Sequence, residues 1–134
     1  MLYRDRVEKE ILPVTKPKGI GLTTFSPLAS GMLTGKYDDG LPEDSRLARE
    51  DWLRKYWFTD EKRERVRQFE PLADELGITR AQLALAWILR QPGVSSVITG
   101  ATRVAHIGSN LKAVNIELDE DVLTRIDAII PPKQ

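Results

Sequence analysis

In the charged run 4–12, Val7, Ile11 and Leu12 fall on one helical face, which predicts a short amphipathic helix. Pro13 and Pro17 are expected to end it, with Lys18 and Gly19 as the turn. Residues 20–25 are almost uncharged and rich in β-formers, the pattern of a buried strand. From 26 to 46 the periodicity breaks, and Pro27, Gly31, Gly35, Gly40 and Pro42 punctuate a long loop. Loops of that length in compact domains are usually functional.

Helical period returns over 60–76, with Val66, Phe69, Leu72, Ala73 and Leu76 as the apolar stripe. Pro71 should kink or divide this helix, and Gly77 is placed to cap it. Thr79-Arg80-Ala81-Gln82 is a capping-box sequence opening a helix to about Arg90. That helix is apolar nearly all round, so it should be buried on most sides. Gln91-Pro92-Gly93 stops it, and residues 94–99 read as a second strand. Helices over about 102–112 and 119–129 follow, the last with Asp119 as N-cap and Val122, Ile126 and Ile129 facing inward. The order α-β-loop-α-α-β-α-α belongs to the α/β class. Two parallel strands cannot cover their own edges, so the pattern resembles the end of a larger parallel sheet. No internal repeat, low-complexity tract or linker divides the chain.

Charge narrows the partners. Lysine plus arginine and aspartate plus glutamate each number 20, for a net charge of zero. A general nucleic-acid or acidic-membrane binder relies on a basic excess that is missing here. With 41% hydrophobic and 30% charged residues, the chain has the composition of a folded soluble domain rather than a disordered one. No apolar run of about 18 residues occurs, so no membrane insertion is expected. No apolar signal segment follows Met1, and there is no cysteine, which excludes disulfides, thiolate metal sites and thiol catalysis and fits a cytoplasmic protein.

Candidate chemistry is sparse. His106 is the single histidine and has no acidic partner at helical spacing, so it is more readily a surface or packing residue than a catalytic base. No His/Asp/Glu cluster has metal-ligand spacing, and Asp38-Asp39 beside Gly40 suits turn chemistry better. Two segments stand out. In the first, Phe25 to Gly31, small residues and hydroxyls around Pro27 let backbone N–H groups approach a ligand, with Lys36 and Arg46 as cations for a phosphate. An ordinary glycine-rich connection has the same composition. In the second, Ile98 to Arg103, a glycine, a threonine and an arginine meet at a helix N-terminus, the parts of an anion site. Such turns also occur without any ligand.

These two segments carry a family resemblance. Thr24-Phe25-Ser26-Pro27-Leu28-Ala29-Ser30-Gly31-Met32-Leu33-Thr34-Gly35-Lys36-Tyr37 is similar to the seventh-strand loop of aldo-keto reductases. Gly93-Val94-Ser95-Ser96-Val97-Ile98-Thr99-Gly100-Ala101-Thr102, continuing to Asn110, resembles their eighth strand and following helix. The likeness is nearest to the branch of the bacterial general-stress reductases and potassium-channel β subunits, whose style continues through Tyr37 to Arg46. It covers essentially all of 1–134 as one cofactor-binding part.

The resemblance implies the C-terminal portion of a (β/α)₈ barrel, a fold of roughly 250 residues. Only the part after the sixth strand is matched, which implies a fragment or a truncated reductase, incomplete by itself and prone to self-association. It implies NADP(H) as cofactor and a small carbonyl compound as substrate of the complete enzyme. Phe25 matches the aromatic stacked on the nicotinamide. Ser26, Leu28, Ser30, Gly31 and Lys36 match the loop over the pyrophosphate, and Arg46 a basic position on its far side. Gly100 and Thr102 match positions around the adenosine 2′-phosphate, and Asn110 the asparagine that meets the adenine. His106 stands where arginine or glutamine is usual, and Ser109 replaces the usual glutamate, which leaves NADP-versus-NAD preference open. The family's catalytic tyrosine, lysine, aspartate and histidine lie on earlier strands, so no catalytic residue is assigned here. Tyr3, Tyr37 and Tyr56 lie outside those motifs. A nucleotide-sensing or assembly module without enzymatic activity, or a truncated product without its own function, is the alternative. The substrate is not legible, because its pocket is shaped by loops before the match and by the C-terminal segment running to Gln134.

Overall fold

The computed structural model describes residues 1–132, so Gln134 lies outside the described residues. The chain opens with one continuous helical run built of α1 (Arg4–Arg6), a π-turn (Val7–Ile11), α2 (Leu12–Thr15) and a 3₁₀ turn (Lys16–Lys18). Pro13 does not end it. A proline lacks the N–H that an α-helix needs and its ring crowds the carbonyl four residues back. The π-turn ahead of it resets the ladder, with Leu12 N–H donating to the Val7 carbonyl, so that Pro13 becomes a first-turn residue of α2. Gly19, left-handed at φ 67°, closes the run instead.

Strand β1 (Leu22–Thr24) pairs in parallel with β2 (Val94–Val97) to form a two-stranded sheet. Both strands fall where the sequence placed them, but they are shorter and no residue of either is fully buried. The expectation of a buried first strand fails because one neighbour and one packed face leave the remaining surface open. Three further helices follow the loop after β1, namely α3 (Arg46–Arg49), α4 (Asp51–Trp57) and α5 (Asp60–Arg67). Pro71 divides the helix predicted over 60–76, ending up in the first turn of α6 (Glu70–Glu75). Gly77, at φ 65°, ends α6 in a Schellman arrangement, with Ile78 N–H donating to the Ala73 carbonyl at 2.9 Å and Gly77 N–H to that of Asp74 at 3.0 Å.

Helix α7 (Arg80–Leu89) opens with the predicted capping box, in which Thr79 Oγ1 accepts from Gln82 N–H and Gln82 Oε1 from Thr79 N–H. Every residue from Gln82 to Ile88 is buried. This helix is the axis of the core. Around it pack Phe69, Leu72 and Ala73, then Val122, Ile126 and Ile130 from α9 (Glu120–Ile129) and its end. The loop after β1 is also part of the core, contributing Met32, Leu33 and Tyr37 at 2% exposure or less. Helix α8 (Val104–Leu111) follows β2 and buries no residue.

Candidate functional site

Parallel pairing sends the connections after β1 and β2 out of the same end of the sheet, where α/β folds gather ligand-binding loops. Ile98 N–H donates to the Thr24 carbonyl at 2.8 Å, the last rung before both chains leave. The first connection is a pair of tight turns rather than an irregular loop, with a 3₁₀ run at Ala29–Thr34 broken at Ser30 and Gly31. Three non-glycine residues there are left-handed: Ser26 at φ 51°, Ala29 at 51° and Ser30 at 58°. Each such residue costs about 1–3 kcal/mol and persists only where its surroundings impose it.

Tyr37 braces the Ser30 end of this turn. Its ring is buried, its hydroxyl donates to the Ser30 carbonyl at 3.4 Å and accepts from Leu47 N–H at 3.5 Å, and Phe58 meets it edge-on. The Lys36 ammonium lies 4.9 Å from the centre of the same ring and crosses above Gly31. A β-carbon at Gly31 would sit 2.9 Å from Lys36 Nζ, and its φ of 95° already favours glycine. Ala29, Gly31 and Leu33 donate their N–H groups within the loop, to the carbonyls of Ser26 and Leu28. The expected approach of backbone amides to a ligand is therefore met only in part. The Lys36 cation and the serine hydroxyls are what the loop chiefly offers an anion.

Phe25, Ser26, Ser30 and Arg46 come together along one cavity of about 600 Å³. Phe25 is 80% exposed at its mouth, and Arg46 opens α3 just after the N-cap Ser45, whose Oγ accepts from Ala48 N–H at 3.3 Å. Helix α4 supplies Trp52, Tyr56 and Trp57 to the same wall. The sequence reading passed over this helix, although Trp52, Leu53, Tyr56 and Trp57 repeat at helical spacing. Tyr3 stacks on Tyr56 at 5.7 Å, and the Lys62 ammonium lies 4.6 Å from the Tyr56 ring. Deeper in, Arg4 is buried, pairs with Glu8 at 2.8 Å and with Asp127, and lies 4.9 Å over the Trp87 ring. Burial opposes its charge, but the bonds to Asp127 and Glu8 prevail and raise its pKa.

Leu28, Gly31 and Lys36, on the same loop, do not line this cavity, and Leu28 packs against the core instead. Gly100, Thr102, His106 and Asn110 form a second group on the β2–α8 turn and α8; all but the half-buried Asn110 are exposed. Gln82 Nε2 anchors this helix by donating to the Ser109 carbonyl at 2.8 Å and its hydroxyl at 3.3 Å. Asp38 serves a turn, as its sequence context suggested, and its carboxylate pairs with Arg80 at 2.5 Å. Among the described residues no group of three or more acidic or histidine side chains could hold a metal.

Turn-rich loops at one end of a parallel strand pair define an α/β protein. The chain matches the model of the aldo/keto reductase family over residues 1–131, and it belongs to that family. It is 50% identical to a protein of Arabidopsis thaliana described as a probable voltage-gated potassium channel subunit beta, over 99% of this chain and 42% of that protein. A probable voltage-gated potassium channel subunit beta of Oryza sativa subsp. japonica is 46% identical, over 99% and 42%. A putative one of Schizosaccharomyces pombe is 44% identical, over 96% and 39%. The chain thus spans about two fifths of the length of these relatives, 39–42%.

Proposed function

We propose that this chain is the NADP(H)-binding portion of an aldo/keto reductase barrel, contributing cofactor positioning to the reduction of aldehydes and ketones. The carrying observation is the strained cradle after β1, where three non-glycine residues are left-handed and Lys36 lies over Gly31. Strain of this kind gathers at ligand clamps. In this reading Phe25 stacks on the nicotinamide. Ser26, Leu28, Ser30, Gly31, Lys36 and Arg46 hold the pyrophosphate side. Gly100, Thr102, His106 and Asn110 face the adenosine end. The cofactor supplies hydride, while the general acid comes from family motifs that this sequence does not contain. Val104 at 86%, Val114 at 65% and Leu111 at 63% exposure are the surface that the earlier barrel segments cover.

The test is NADPH affinity in a complete barrel carrying this sequence. Lys36→Ala and Thr102→Ala should each weaken binding by about 1.5–3 kcal/mol, roughly ten- to a hundredfold, with little change in the chemical step at saturating cofactor. Unchanged affinity in both variants rejects the site. The 134-residue chain alone should turn over no aldehyde with NADPH, since loss of a positioned acid forfeits roughly 10²–10⁴-fold in rate. Reduction by the isolated chain would overturn the reading.

A second reading, an assembly or nucleotide-sensing module, is favoured by the names of the relatives, channel β subunits. It predicts nucleotide binding without turnover even in the complete barrel.

A further inference from the structure

The outer side of the cradle is gripped by three arginines from elsewhere in the chain. Arg63 donates from Nε to the Tyr37 carbonyl at 3.1 Å and from Nη2 to the Asp38 carbonyl at 2.7 Å, and Arg67 also donates to the Asp38 carbonyl. Arg80, the first residue of α7, pairs through Nη2 with the Asp38 carboxylate at 2.5 Å and reaches Glu70 at 3.6 Å. Arg63 and Arg67 grip only backbone oxygens of the turn, so Arg80 is the one of the three that reads its side chain.

Arg80 also occupies the space that a side chain at residue 35 would need. A β-carbon on Gly35 would overlap the Arg80 guanidinium, and Gly35 is left-handed at φ 83°. Asp38 N–H donates back to the Gly35 carbonyl at 3.0 Å, which closes the turn that carries Lys36 and Tyr37. The side chains of Arg80 and Asp38 are only 11% and 15% exposed, so their pairing is shielded from bulk water and from salt. One end of this turn is Arg80. The other is the Lys36 ammonium above Gly31.

We propose that Arg80 is a positioning residue for the cofactor cradle, locking the Gly35–Asp38 turn through Asp38 so that Lys36 is held over Gly31 before any anion arrives. This rests on the NADP(H) reading above. Because α7 is the axis of the core, the latch ties the cradle to a helix buried from Gln82 to Ile88. Loss of Arg80 should leave α7 in place and loosen the turn, held then only at its carbonyls by Arg63 and Arg67, so an incoming pyrophosphate would have to order Lys36 itself.

The test uses a complete barrel carrying this sequence with Arg80→Ala, Asp38→Asn and the double variant, followed by backbone hydrogen exchange with and without NADP⁺. Amides 31–38 should exchange roughly tenfold faster in each single variant, no faster in the double, and those of α7 should keep their rates. NADP⁺ affinity should fall roughly tenfold in each, the loss of one charge-assisted bond. Saturating NADP⁺ should restore protection of 31–38. Unchanged exchange of 31–38, or equal acceleration in the loop and in α7, overturns the latch. An opened loop with unaltered NADP⁺ affinity overturns its role toward the cofactor. If the complete barrel with the unmodified sequence binds no NADP⁺, the reading of the previous section fails, and the exchange pattern alone decides the latch.

Discussion

Helices α7 and α8 flank β2 in the chain and both are rich in apolar residues, yet seven consecutive residues of α7 are buried and none of α8. Val104, Ile107 and Leu111 share one face of α8 at the spacing an inward stripe requires, and all three are more than half exposed. Helix α7 has neighbours on every side: the cradle loop, α6, β2 and α9. Helix α8 has the Gln82 anchor and the adjoining turn, Lys112–Asn115, where Ala113 is buried. An apolar stripe states what a helix can bury. Whether it does depends on what surrounds it, and the matched relatives are more than twice as long as this chain, which covers 42% of the first.

Truncation on each side is the strongest way to break the comparison. Leu83→Ala in α7 removes a side chain that is 1% exposed and should cost about 2–5 kcal/mol of stability. Ile107→Ala in α8, where the side chain is 52% exposed, should stay within about 0.5 kcal/mol. Urea unfolding of both variants checks this. Equal losses would mean that α8 is packed in solution against something, another copy of the chain included.

The same contrast marks what the sequence made legible. Capping of α7 at Thr79 and Gln82, division of the helix at Pro71, closure at Gly77 and both strand positions are local chemistry, and each is present. Pro13 misled because the compensating π-turn leaves no pattern in residue types. The loop over 26–46 shows only its glycines and prolines in the sequence, whereas the burial of Met32, Leu33 and Tyr37 is a tertiary fact. Of the candidate site, the strand-end segments were legible. Tyr37 and Arg80 were not, since a buried tyrosine within the loop and an arginine far along the chain acquire their roles only by contact.

Capping gives a smaller and more local test of the two helices. Thr79→Ala removes the hydroxyl that accepts from Gln82 N–H, while the backbone N–H that donates to Gln82 Oε1 remains, and should cost about 0.5–2 kcal/mol in global stability. The N-cap of α8 is Arg103, whose side chain makes no capping bond although its backbone is extended as a cap requires. Arg103→Asn should therefore slow amide exchange in the first turn of α8 while leaving global unfolding nearly unchanged. If that exchange is unaffected, the looseness of α8 comes from its missing neighbours alone and not from its uncapped end.

The smallest effect concerns how α9 is fixed to the packed side. Arg125 of α9 pairs with Glu75 of α6 at 2.8 Å on the surface. The hydrogen bond from Arg125, and then its charge, hold the Glu75 carboxyl below its ordinary pKa, so the pair stabilises the fold only while Glu75 is ionised. That contribution is fully present above the ordinary carboxylate range and is lost as pH falls through the lowered value in the folded chain. Exposed pairs of this kind are weak and screened by salt. Glu75→Gln should therefore melt slightly earlier than the unmodified chain at neutral pH, and the two melting curves should converge on acidification and again at high salt. A gap that persists in acid would assign the loss to packing rather than charge, because the glutamine differs from a protonated glutamate by little else.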